Sequence, residues 1–165
     1  MDSERNHVEG EGAARRAGTG EDPRRRGRQL ALMFLYQLDM QEGENMDQMG
    51  RFLAEYDAEQ EVRERAEKWI RGIWERREKL DELIGRVSEN WDLNRITRVD
   101  RSNLRLAVYQ FLACPEIPAK VVINEAVELA KLFSTAQAPA FVNGVLDAIR
   151  KNISSEPMQP RRGTD

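Results

Sequence analysis

The 165-residue chain has one cysteine, Cys114, and one histidine, His7. A single cysteine excludes an internal disulfide and a cysteine-based zinc cluster, and it fits a reducing compartment. Beside Pro115 it reads as a small apolar residue. His7 falls in a stretch with too little apolar content to fold, so neither a histidine-based triad nor a histidine-ligated metal site is expected in the folded part. No apolar run approaches the roughly eighteen residues that span a bilayer, and the N-terminal segment has no signal-peptide core. The expectation is a cytoplasmic protein with no membrane contact. A glycine-rich phosphate loop with its lysine, an HExxH pair and a nucleophile elbow are all missing as well. The 29 aspartates and glutamates are what solvated helix faces ordinarily carry. No catalytic residue, metal or cofactor is therefore expected, and the chain reads as a non-enzyme.

The charge that is present is segregated. The formal net charge is -3, yet Pro23 to Leu38 holds Arg24, Arg25, Arg26 and Arg28 and no acid. Gln41 to Ile70 holds nine acids against four bases. Screening limits each charge to a reach of about 8–10 Å at physiological salt, so a local cluster can bind phosphate whatever the sign of the whole.

Residues 1–22 are rich in Gly, Glu, Arg and Ala and read as a disordered extension; residues 154–165, with two prolines and a glycine, read as a disordered tail. Between them lies one expected helical domain, residues 23–153, with an N-terminal unit over about 23–85 and a C-terminal unit over about 90–153. Asp22 followed by Pro23 reads as an N-cap and first helical residue. Ala31, Phe34, Leu35 and Leu38 give that helix an apolar face, and Gly43 is expected to end it. The arginines in its first turns fan around the axis, so several must project into water or onto a ligand.

A shorter helix is expected over Met46 to Tyr56, with Met46, Met49, Phe52 and Leu53 buried. A long stripe from Val62 through Trp69, Ile73 and Leu80 is expected to end at Gly85. Trp91, Leu93 and Ile96 read as a connector, and Trp69, Trp74 and Trp91 as core anchors. Thr97 with Asp100 resembles a capping box opening a further helix, which Pro115 and Pro118 stop. Another helix runs from about Ala119 to Phe133, and the last starts near Pro139. With no strand pattern or repeat, the fold class is all-α, six to seven helices in a bundle-like packing.

Three segments together resemble the NusB family: RRRGRQLALMFLYQL (24–38), NWDLNRITRVDRSNLRLAVYQF (90–111) and PAKVVINEAVELAKLFSTAQAPAFVNGVLD (118–147). The resemblance covers about residues 23–151. It implies an all-α fold of two packed three-helix units. It also implies binding to the boxA element of ribosomal RNA transcripts jointly with NusE, a small-subunit ribosomal protein, within an RNA polymerase antitermination complex that includes other Nus factors. Homodimers occur in the family too.

Arg24, Arg25, Arg26 and Arg28 match the family's arginine-rich motif, and guanidinium forks can pair with phosphate and stack on bases. By the same resemblance Phe141 is a base-stacking candidate with Asn143 near the same surface, and Tyr36 and Asp100 fall at or near the NusE interface. Plainer readings stand beside these: Phe141 as core, Gly144 as a site of close helix packing, Tyr36 as half-buried and Asp100 as a helix cap. Asn124, Glu125 and Lys131 match family residues but are explained by a cap and intramolecular pairing. Two departures stand out. Ala140 occupies a position where lysine is common, and Gly27 one where alanine is frequent, at a cost of about 1 kcal/mol in helix propensity. Gly27 thus suggests a first turn that firms up on RNA binding. Two other functions fit the fold class: a helical protein-interaction module, and an RNA-positioning domain acting with an rRNA-modifying enzyme, for which the twelve residues after Ile153 leave no room for a catalytic domain.

Overall fold

The computed structural model describes residues 22–56, 58–87 and 96–155. The expected extension, the tail after residue 155, and Trp91 and Leu93 of the connector lie outside the described residues. Seven α-helices make up the described fold, with no strand among the described residues.

Helix α1, Pro23–Met40, begins as its sequence dictates: the Asp22 side chain accepts from the Arg24 N–H at 2.9 Å, and Pro23 takes the first position. It ends at Met40 rather than at Gly43. Gly43 instead closes the cap, with φ +82° and its N–H donating to the Leu38 carbonyl at 2.8 Å. Only glycine suits that position, because a Cβ there would also come within 2.8 Å of the Trp74 ring.

The helix expected over 46–56 begins as a 3₁₀ turn, Met46–Gln48, before α2, Met49–Ala54. Met49, Leu53 and Tyr56 are buried, while Met46 and Phe52 are only half-buried. The long stripe from Val62 is broken into α3, Gln60–Glu75, and α4, Arg77–Val87. The break is at Arg76, and the side chains of the junction cap the carbonyls it leaves open: Arg77 donates to Trp74 O at 2.7 Å and Arg76 to Gly72 O at 3.4 Å. Gly85 therefore does not terminate a helix but lies inside α4.

Helix α5, Arg98–Ala113, is capped by Thr97, whose hydroxyl accepts from the Asp100 N–H at 3.2 Å. It is buried on every side from Ser102 to Gln110, as a central helix must be, and packs against α1, α3, α4, α6 and α7. Helix α6, Ala119–Phe133, starts at Pro118, and α7, Ala138–Ser155, starts one residue before Pro139. The buried side chains form one continuous core. Helix α4, assigned by sequence to the first half, packs on α5 and α7 as well as on α3. A half-buried ion pair fastens it there: Arg105 of α5 holds Asp81 of α4 through two contacts of 2.7 Å and reaches Asp39 of α1 at 3.5 Å.

Candidate nucleic-acid interface

The four arginines of α1 split into two pairs. Arg24 and Arg25 are exposed, whereas Arg26 and Arg28 are 4% and 3% exposed. Helical geometry produces the split, because α1 buries one flank of its first two turns against α3 and α5. Fewer guanidinium groups thus project than the sequence pattern suggests.

Each buried arginine rests on an aromatic ring. The Arg28 guanidinium lies 5.6 Å from the Trp69 ring centroid and donates to Gln110 Oε1 at 3.2 Å. Burial pulls its pKa below the ordinary arginine value, and Glu125 offsets this most among the neighbouring charges, followed by Asp22. Arg26 lies 5.9 Å from the Tyr56 ring and donates to Gln29 at 3.2 Å. These contacts are cation–π in kind and stiffen the base of the turn. Above them, Arg25 grips Glu125 of α6 with Nε and Nη2 at 3.1 and 2.9 Å.

Helix α3 adds residues that sequence reasoning missed. Arg63 donates to the Tyr56 carbonyl at 3.1 Å, beside the ring that carries Arg26. The Arg65 side chain passes 3.9 Å from where a Cβ on Gly27 would stand. Both lie in an acid-rich stretch, and only the packing of α3 on α1 brings them to the arginine turn. Gly27 itself is buried within α1, where a Cβ would lie 3.4 Å from the Trp69 ring.

Phe141 and Asn143 are carried by α7, which packs on α4, α5 and α6 rather than on α3. Phe141 is half-buried against the core, and Asn143 is exposed with Ala140 and Gly144. Gly144 does not serve close helix packing: a Cβ there would meet nothing within 4 Å.

Tyr36 lies toward the other end of α1, which at 18 residues is about 27 Å long, and Asp100 lies in the first turn of α5. Arg98 donates to the Asp39 carbonyl at 3.0 Å, joining the last turn of α1 to the first of α5. Tyr36 is half-buried and Met40 is exposed. Asp100 is buried, its Oδ1 has no hydrogen-bond partner, and desolvation pushes its pKa up against smaller opposing effects from Ser134 and Thr97. Among the described residues no group of acids, histidine or cysteine is disposed to hold a metal ion, and no helix is long and apolar enough to cross a membrane.

Comparison with known proteins identifies the family. Residues 25–151 match the NusB family. The transcription antitermination protein NusB of Anaeromyxobacter sp. (strain Fw109-5) is 43% identical over 143 residues, covering 86% of this chain and 96% of the relative. That of Syntrophus aciditrophicus is 38% identical over 130 residues, covering 79% and 81%. Among solved structures, T. maritima NusB superposes with a TM-score of 0.71 at 40% identity, covering 79% of this chain and 92% of the other. A crystal structure of the antitermination factors NusB and NusE in complex with dsRNA gives a TM-score of 0.70 at 26% identity, with 79% and 97% covered. By sequence and by fold, the chain belongs to the NusB family.

Proposed function

We propose that the chain is a transcription antitermination factor that binds boxA-type single-stranded RNA of ribosomal RNA transcripts together with NusE and promotes read-through by RNA polymerase. The observation that carries this is the arginine turn: two exposed guanidinium groups standing on two buried ones, an arrangement that holds positive charge where α1 begins. Unliganded, such a cluster opposes the helix dipole, and an RNA phosphate relieves the conflict. A relative of similar fold solved with NusE and dsRNA supports both partners.

In this reading Arg24 and Arg25 meet phosphate, and Arg26 and Arg28 supply field and rigidity from beneath. Phe141 and Asn143 offer a second contact by stacking and hydrogen bonding. Tyr36 and Asp100, at the far end of α1, receive NusE. The chain works in the cytoplasm, without a chemical step, beside RNA polymerase and other Nus factors; a homodimer is its alternative partner state.

The test is a titration of labelled boxA-type RNA and a scrambled control, with and without NusE, over a range of salt. The proteins are wild type and the double variant Arg24→Ala/Arg25→Ala, which spares the buried pair. Two phosphate contacts to single-stranded RNA give a log–log salt slope of at most about -1.4 from the turn, at about -0.7 for each phosphate fully neutralised, and the double variant loses it. Binding to NusE with no affinity for either RNA at low salt would make the protein a helical interaction module instead.

A further inference from the structure

The arginine turn is already occupied by an anion of the protein's own. Glu125 takes two of the guanidinium donors of Arg25 in a bidentate pair, the geometry in which a phosphate also binds arginine. The two partners are unequally held. The Arg25 side chain is 46% exposed and the Glu125 side chain 16%, so the carboxylate is fixed by the fold and the guanidinium is the half that can be drawn away. Glu125 is also the leading neighbouring charge that offsets the burial of the Arg28 cation.

From this we propose that Glu125 is an internal counter-anion that occupies Arg25 in the free protein and limits how tightly the arginine turn binds RNA phosphate. The inference rests on the RNA reading of that turn. An incoming phosphate must share Arg25 with a carboxylate that cannot follow it, and it feels that carboxylate's negative charge. Arg25 therefore counts for less than a full cation toward RNA. The charged groups at the turn include Asp22, Glu125, Arg24, Arg25, Arg26 and Arg28, with Arg65, itself paired with Glu61, alongside Gly27; Glu125 bonds the exposed Arg25 and also faces the buried Arg28.

The decisive variant is Glu125→Gln, which keeps an oxygen acceptor for Arg25 and removes the charge. It is expected to bind labelled single-stranded boxA-type RNA about 3- to 10-fold more tightly at low salt, with a salt slope steeper by part of the roughly 0.7 that one fully neutralised phosphate contributes on a single strand. Most of that gain is expected to vanish in an Arg25→Ala background, since coupled residues are non-additive. Glu125→Asp, which shortens the reach to Arg25 but keeps a charge near Arg28, guards against loss of fold and is expected to show a smaller gain. Unchanged or weaker RNA binding by folded Glu125→Gln, or weaker binding by Glu125→Asp, overturns the proposal. If Arg24→Ala and Arg25→Ala leave RNA affinity untouched in the wild-type background, the RNA reading of the turn has failed and this proposal falls with it.

Discussion

Gly72 of α3 faces the ring of Tyr109 on α5 so closely that a Cβ at position 72 would stand 2.7 Å from the tyrosine Cζ. The contact is where α3 meets the central helix, and neither side has room to withdraw, since Gly72 and Tyr109 are both buried. Gly72→Ala is therefore expected to destabilise the fold by about 2 kcal/mol, within the usual range for overpacking. Urea unfolding followed by circular dichroism would show it as a lower midpoint at unchanged slope.

Gly27 predicts the opposite sign. It too is buried in a helix, but a Cβ there would lie 3.4 Å from Trp69 Cζ3, an ordinary van der Waals contact. Gly27→Ala should stabilise the protein by about 0.5–1 kcal/mol through helix propensity. Denaturant unfolding measures the gain; a loss of stability would contradict the reading of this contact as unstrained.

Arg105 is 4% exposed and binds carboxylates from two other helices. Its replacement by alanine leaves Asp39 without that cation. Full burial of such a pair would make the loss about 3–5 kcal/mol, but Asp81 is partly solvated, so about 2 kcal/mol is expected. Because the lost clamp joins α1 to α5 next to Tyr36, NusE affinity should fall more than RNA affinity, a comparison available from parallel titrations.

Asp100 gives a pH dependence. Desolvation raises its folded pKa above the ordinary 3.8, so between those two values the folded state carries a proton that the unfolded state has lost. Stability linked to this group therefore rises as pH falls through the folded pKa, is complete below 3.8, and is absent at neutral pH, where the buried carboxylate is charged. Asp100→Asn removes that dependence. Relative to the variant, wild type should gain stability on acidification across this window, as thermal melts at a series of pH values would reveal; parallel curves would contradict the assignment.

Local chemistry was legible in the sequence and long-range pairing was not. Asp22 with Pro23 and Thr97 with Asp100 marked helix starts because a cap and its acceptor lie within a few residues. The apolar spacing of Ala31 to Leu38 likewise identified a buried face. The fates of Arg26 and Arg28 could not be read in the same way, because what buries Arg28 is Trp69 and Gln110, supplied by other helices. Periodicity also ran straight through Arg76, where the chain breaks between α3 and α4 without proline or glycine, and it overvalued Gly85, which a helix accommodates at a cost of about 1 kcal/mol. Arg63 and Arg65 were hidden for a related reason: summed with neighbouring acids they look neutral, and only the contact of α3 with α1 separates them.

The separation between Arg25 and Glu125, 100 positions along the chain, also imposes an order on biosynthesis. The arginine turn leaves the ribosome first, well before α5 supplies Gln110 and α6 supplies Glu125. Until those helices emerge, the nascent chain presents its arginines with neither the buried neighbours that stiffen them nor the carboxylate that restrains them. At synthesis rates of about 5–20 residues per second this interval lasts several seconds. Closure of the α5–α6 hairpin onto α1 is thus the folding step that gives Arg28 its Gln110 partner and Arg25 its Glu125 partner, and variants that delay it lengthen the time the newly made arginine turn spends without them.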